Sequence, residues 1–133
     1  MLNQTKVTIT SGVTRKTILV DPQNSTAVSC MIANTGLEAD SAGKKIVKAG
    51  TPLTGSLTAR GTAFTVASES EVSSVTTSNA VGIAMHDVDV TAGTANGAIL
   101  IFGIVDKNKL DSDVQSKITA ATEKALKMIQ FIA

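Results

Sequence analysis

Aromatic side chains are nearly missing from this chain: they make up 2% of it, as Phe64, Phe102 and Phe131, with no tryptophan and no tyrosine. Proteins that read single-stranded nucleic acid stack bases on aromatic rings, so a stacking platform is excluded. The formal net charge is +1, which leaves no basic field to collect phosphates. Cysteine occurs once, at Cys30, so no internal disulfide forms, and with no CxxC or histidine-rich neighbourhood Cys30 reads as a small buried hydrophobe. Long apolar runs are absent as well: none approaches the roughly 18 residues that span a bilayer. The opening Met1-Leu2-Asn3-Gln4-Thr5-Lys6 lacks the apolar stretch of a signal peptide. The expectation is a soluble chain made in a cytoplasm, with no nucleic acid and no membrane among its partners.

Catalytic signatures are equally scarce. His86 is the one imidazole, and Ser11, Ser56, Ser68 and Ser78 lie in polar stretches without a G-x-S-x-G elbow. The glycines form neither G-x-G-x-x-G nor G-x-x-x-x-G-K-[ST], and scattered glycines in such a chain read as turn or bulge residues. The expectation is therefore no enzyme, no catalytic residue and no cofactor. His86, Asp87 and Asp89 are the residues that invite a metal. On a strand, alternation sends His86 to one face and both aspartates to the other. They are read instead as loop-ordering residues, with the carboxylates accepting backbone N–H groups in the turn through Thr91-Ala92-Gly93, and no metal is expected. The tract from Asp89 to Gly97 does not match an EF-hand loop, and Asn96-Gly97 reads as a type I′ hairpin turn.

What is present is β-branched and short-patterned. The 133 residues suffice for one domain with a single core, and the wealth of valine, isoleucine and threonine favours strands. Val7-Thr8-Ile9-Thr10 alternates before Ser11-Gly12, Thr17-Ile18-Leu19-Val20 repeats the pattern before the turn cluster Asp21-Pro22-Gln23-Asn24-Ser25, and Ala27 to Ile32 closes at Asn34-Thr35-Gly36. Glu38 to Lys45 and Glu69 to Asn79 read as exposed loops by composition. Pro52, which cannot donate to a ladder, belongs at a strand start or a sheet edge. Near the C-terminus Val114, Ile118, Ala121 and Ala125 recur at helical spacing, with Ser112 and Gln115 as a capping box and Asp111 and Asp113 at the positive end of the dipole. Met128 to Ile132 returns to alternation as a last strand. The fold class is mainly β or α+β: a small compact β-rich domain with one C-terminal helix near 112–127.

Two apolar runs, Ala80-Val81-Gly82-Ile83-Ala84-Met85 and Ala98-Ile99-Leu100-Ile101-Phe102-Gly103-Ile104-Val105, flank the acidic loop. Together with Ala49-Gly50-Thr51-Pro52-Leu53 upstream, the order "AGTPL, then AVGI…D, then G-I-V-D" resembles the small head-decoration (capsid-stabilising) proteins of tailed bacteriophages, the lambda type and its prophage relatives. The resemblance covers roughly Lys44 to Leu110. It implies a lambda-decoration-protein-like fold and a structural virion protein, a homotrimer that binds the major capsid protein on the outer surface of the expanded head and holds it against the pressure of packaged DNA. It divides the chain into residues 1–20, a candidate capsid-contacting strand or arm with Val7, Thr8, Ile9 and Thr10 as capsid-binding residues, and a decoration domain over 21–133. Residues 1–20 are more strand-like than that family's polar arm, so an ordinary strand of the domain stays an equal reading. The helix from Ser112 has no firm counterpart in the family. The alternatives are another phage component, such as a head-fibre base or a tail protein, and a small binding module unrelated to phages.

Overall fold

The computed structural model describes residues 17–133, and the candidate capsid-binding residues Val7, Thr8, Ile9 and Thr10 lie outside the described residues. Among the described residues ten strands follow one another: β1 (Thr26–Ile32), β2 (Ile46–Val47), β3 (Pro52–Thr54), β4 (Thr65–Val66), β5 (Glu69–Val72), β6 (Val75–Ser78), β7 (Gly82–Ala84), β8 (Val88–Asp89), β9 (Ala95–Asp106) and β10 (Ile129–Ile132). Between β9 and β10 lie a 3-10 turn (Lys107–Lys109) and two short α-helices, α1 (Ser112–Gln115) and α2 (Ala120–Ala125). The protein is thus a small β-rich domain with helix near its C-terminus.

The organising element is β9, twelve residues long and flanked on both sides. The main sheet runs β1-β9-β7-β3-β4, all antiparallel, and β10 joins β9 in parallel. Two ribbons, β2 with β8 and β5 with β6, complete the structure. Alternation along the middle strands splits the apolar side chains between two cores. Ile83 and Leu100 join Leu19, Val105, Val114 and Ile129 on one face, while Ala84 and Ile99 join Ile32, Leu53, Phe64 and Val90 on the other. This two-sided burial explains why the middle of β9 reads as a continuous apolar run rather than an alternating one. Pro52 opens β3 at its first position, where a missing N–H costs least.

The first described residues are tied in by the same strand. Leu19 bridges Val105, the Val20 N–H donates to the Ile104 carbonyl at 2.9 Å, and the Asp106 N–H donates to the Ile18 carbonyl at 3.0 Å. Within segment 1–20, Ile18 and Leu19 are therefore part of the domain core.

The structure differs from the sequence expectation at several places. Glu69 to Asn79 is not a loop but the β5–β6 hairpin, closed by Ser73 and Ser74 with φ of 52° and 66°. Both turn residues are left-handed, the geometry that matches strand twist in two-residue hairpins, although neither is the customary glycine or asparagine. Asn96-Gly97 is not a turn: both residues lie inside β9, opposite Met31 and Cys30. Glycine is needed there for space, because a Cβ on Gly97 would lie 2.6 Å from Ile32 Cδ1. The helical stretch is interrupted at Ser116–Thr119, where Thr119 caps α2 by accepting the Thr122 N–H at 3.3 Å, and the buried Thr122 hydroxyl donates to the Lys117 carbonyl at 3.2 Å. The Ser112–Gln115 capping box does not form. Asp111 occupies the N-cap without a side-chain capping bond to the helix, its carboxylate pairing with Lys48, and the Gln115 amide donates to the Leu110 carbonyl at 2.9 Å.

Candidate functional site

His86 and Asp87 lie in the bend between β7 and β8 rather than on a strand, so the alternation argument does not apply to them. Asp87 reaches across to the segment before β3, where its Oδ1 accepts the Ala49 N–H at 2.8 Å. Asp89, in β8, turns back on its own loop: its Oδ1 accepts the Thr91 N–H at 2.9 Å and the Thr91 hydroxyl at 2.5 Å. These bonds, the hydroxyl first, hold the Asp89 carboxyl below its ordinary range. Thr91 Oγ1 also accepts the Lys45 N–H at 2.8 Å, which ties the loop to the start of β2. Nδ1 of His86 is buried and has no hydrogen-bond partner in the protein. The two carboxylates thus serve separate backbone donors and do not converge with His86. Among the described residues no group of three His, Cys, Asp or Glu side chains is arranged to hold a metal ion.

Cys30 is 5% exposed, in β1, beside a cleft of about 230 Å3 that Arg60 and Asn96 also line. Burial pushes its thiol pKa up against the opposing pull of the Arg60 charge, so the nucleophilic thiolate is disfavoured. Arg60 itself donates to the Ser29 carbonyl at 2.9 Å and so covers part of the outer edge of β1. Lys48, just after β2, pairs with Asp111 at 3.5 Å and Asp113 at 3.0 Å, pinning the start of α1 to the end of β2. The Lys48 hydrogen bond holds the Asp113 carboxyl low and raises the Lys48 pKa. These are fastenings of the fold.

The surface feature that the fold leaves unexplained is apolar. The β1–β9 register slips by one residue between Thr26 and Ala27, leaving Ile101 as the extra residue of β9. Such a bulge re-aims the side chains beyond it. Phe102 and Ile104 consequently face outward, 43% and 38% exposed, beside Val20 from the N-terminal segment and Met128 and Ile132 from the β10 region. Phe102, Ile104 and Met128 line a groove of about 310 Å3, with Asn24, Lys127 and Gln130 supplying its polar atoms. A second apolar feature is the pair Val72 and Val75 across the β5–β6 turn, 70% and 58% exposed, of which Val75 lines a shallow pocket with Ala121, Lys124 and Ala125 of α2. Sequence reading missed both. Alternation within Phe102-Gly103-Ile104-Val105 is a signal for a one-sided strand, but the apolar run before it hides the change.

No protein-family model matches the chain, and no curated protein sequence is similar to it.

Proposed function

We propose that this chain is a structural virion protein of a tailed bacteriophage, a head-decoration protein of the lambda type. On this reading it binds the major capsid protein on the outer surface of the expanded head, as a homotrimer, and stabilises the head against internal DNA pressure. The observation that supports it is spatial. The three sequence segments that carry the resemblance, Ala49–Leu53, Ala80–Met85 and Gly103–Asp106, fall on or beside β3, β7 and β9, and β7 lies between the other two. The Gly50 N–H donates to the Ala84 carbonyl at 2.7 Å, the Ala84 N–H to the Thr51 carbonyl at 2.9 Å, and the Val81 N–H to the Leu53 carbonyl at 2.8 Å. The resemblance therefore concerns one folded unit rather than scattered residues.

A decoration role also suits the physics of weak, repeated contacts. Three linked copies engage three capsid positions at once, and avidity then exceeds single-site affinity by roughly 10²–10⁴. Residues 7–10 supply the capsid contact in this reading, through backbone pairing to a sheet edge that needs no particular side chain. The test is co-sedimentation of the purified full chain with expanded heads and with compact procapsids, built from the major capsid protein of the phage that encodes it. Binding to expanded heads alone, with a rise in their melting temperature, is the expected result. Equal binding to both forms contradicts the preference for expanded heads, and binding to neither removes the decoration role.

A further inference from the structure

We infer that the β5–β6 ribbon is a strap that detaches from α2 as one unit while both cores stay folded, hinged at Ser68 and Asn79 and latched by Glu69 and Thr119. This stands on the described residues alone and does not depend on the virion role. At its root the ribbon is clamped: the Asn79 N–H donates to the Ser68 carbonyl at 3.1 Å, and the Ser68 N–H donates to Asn79 Oδ1 at 2.8 Å. Just outside this clamp the chain is fixed to the main sheet, where the Ala67 N–H donates to the Pro52 carbonyl at 2.9 Å and the Val81 N–H to the Leu53 carbonyl at 2.8 Å. Beyond the clamp the anchoring stops. None of residues 69–78 belongs to either core, and every one but Ser78 is exposed.

What holds the strap closed is slight. Among the described residues a single side-chain hydrogen bond joins it to the helical stretch, from the Thr119 hydroxyl to Glu69 Oε1. Thr119 is also the N-cap of α2, so the latch sits on the helix cap. The apolar seam is open: Val75 lines a pocket of about 200 Å3 with Ala121 and Ala125, and Glu69, Ser78, Thr119 and Thr122 share another of about 270 Å3. Close-packed contacts inside proteins leave few spaces larger than a water molecule, so this contact is loose. Segments with few buried apolar contacts open locally, well below the free energy of global unfolding. Once released, the ribbon is an isolated two-stranded hairpin, which is marginal in water, so its ladder is lost when the strap opens. Opening carries Val75 away from α2 and bares Ala121 and Ala125, which are half-buried in the closed form. The strap thus covers or uncovers an apolar strip without disturbing β9.

Native-state hydrogen exchange on the full chain tests the strap. The ladder amides of β5 and β6 should exchange together, through an opening populated on the order of a hundredfold or more above the one that frees the Ile99 and Leu100 amides. Amides of α2 should keep higher protection than the ribbon, because Leu126 at its end stays in the core. Glu69→Ala removes the latch and should raise ribbon exchange about three- to tenfold, as loss of one hydrogen bond does, with β9 exchange at the wild-type rate. The wild-type comparison stands without the variant. Ribbon amides that exchange only with β9, that exchange together with α2, or that grade in protection from tip to root each overturn the inference, as does a Glu69→Ala ribbon exchanging at the wild-type rate.

Discussion

The two halves of β9 are nearly alike in composition and opposite in circumstance. Around Ile99 and Leu100 the strand is walled by β1 and β7 and covered on both faces, and both side chains are 0% exposed. Beyond the bulge at Ile101 it is flanked by β10 and by Leu19 and Val20, with one face covered and the other bare, and Phe102 and Ile104 emerge on the bare side. Hydrophobicity alone does not make a core. What surrounds a strand decides whether its apolar residues stabilise the monomer or remain available to a second molecule.

The sharpest way to break this comparison is to truncate both halves. Leu100→Ala should cost about 2–5 kcal/mol of unfolding free energy, the range for emptying a packed site. Phe102→Ser should change the monomer by less than about 1 kcal/mol. Urea unfolding at low protein concentration measures both, and similar losses would show that the two halves are equally structural.

A smaller effect is expected where β7 meets β9. A Cβ on Gly82 would sit 2.5 Å from Ile99 Cγ1 and 2.7 Å from the Leu100 carbonyl oxygen. Because one of these is backbone, Gly82→Ala should destabilise by about 1–3 kcal/mol. Thermal unfolding that leaves this variant as stable as wild type would mean that the strands separate more easily than their spacing implies.

In the loop, Asp87→Ala leaves the part-buried Ala49 N–H without its acceptor and should cost about 1–3 kcal/mol. A chelator should leave the melting temperature of wild type unchanged. If it lowers the wild-type melting temperature but not that of Asp87→Ala, the acidic loop holds a metal and its structural reading fails.

The smallest effect is electrostatic. Asp113 has its folded pKa lowered by Lys48, so its contribution is present above the ordinary carboxylate pKa and lost as pH falls through the folded value. Lys48 is raised, so its share is present below its ordinary pKa and lost as pH rises through the folded value. The pair is well exposed, and Asp113→Asn should cost about 0–1 kcal/mol at neutral pH, less in high salt. The stability gap between variant and wild type at pH 7 should close as pH falls through the folded Asp113 value. A gap that persists below it would assign the effect to something other than the ion pair.

Half of the strands are legible in the sequence as apolar runs bounded by turn residues: β1, β3, β7, β9 and β10. The β5–β6 hairpin is not. Apart from Val72 and Val75 it is polar, its four-residue strands are almost wholly exposed, and its turn carries Ser73-Ser74 where sequence rules look for glycine or asparagine. Asn96-Gly97 misleads in the opposite sense: glycine there serves packing against Ile32, which only the tertiary structure reveals. Asp87 and Asp89 could be picked out as loop residues, but the partnership of Asp87 with Ala49, 38 positions away, is not encoded locally. The bulge at Ile101 depends on how β1 aligns with β9, so the bare face beyond it was equally hidden.

Sedimentation velocity on wild type and Phe102→Ser, each paired with urea unfolding of the dilute protein, bears most directly on the claim that the second half of β9 serves association rather than folding. The account predicts a variant that unfolds like wild type when dilute but associates at least about tenfold more weakly when concentrated. A variant that loses monomer stability and association together, or keeps both, would contradict it.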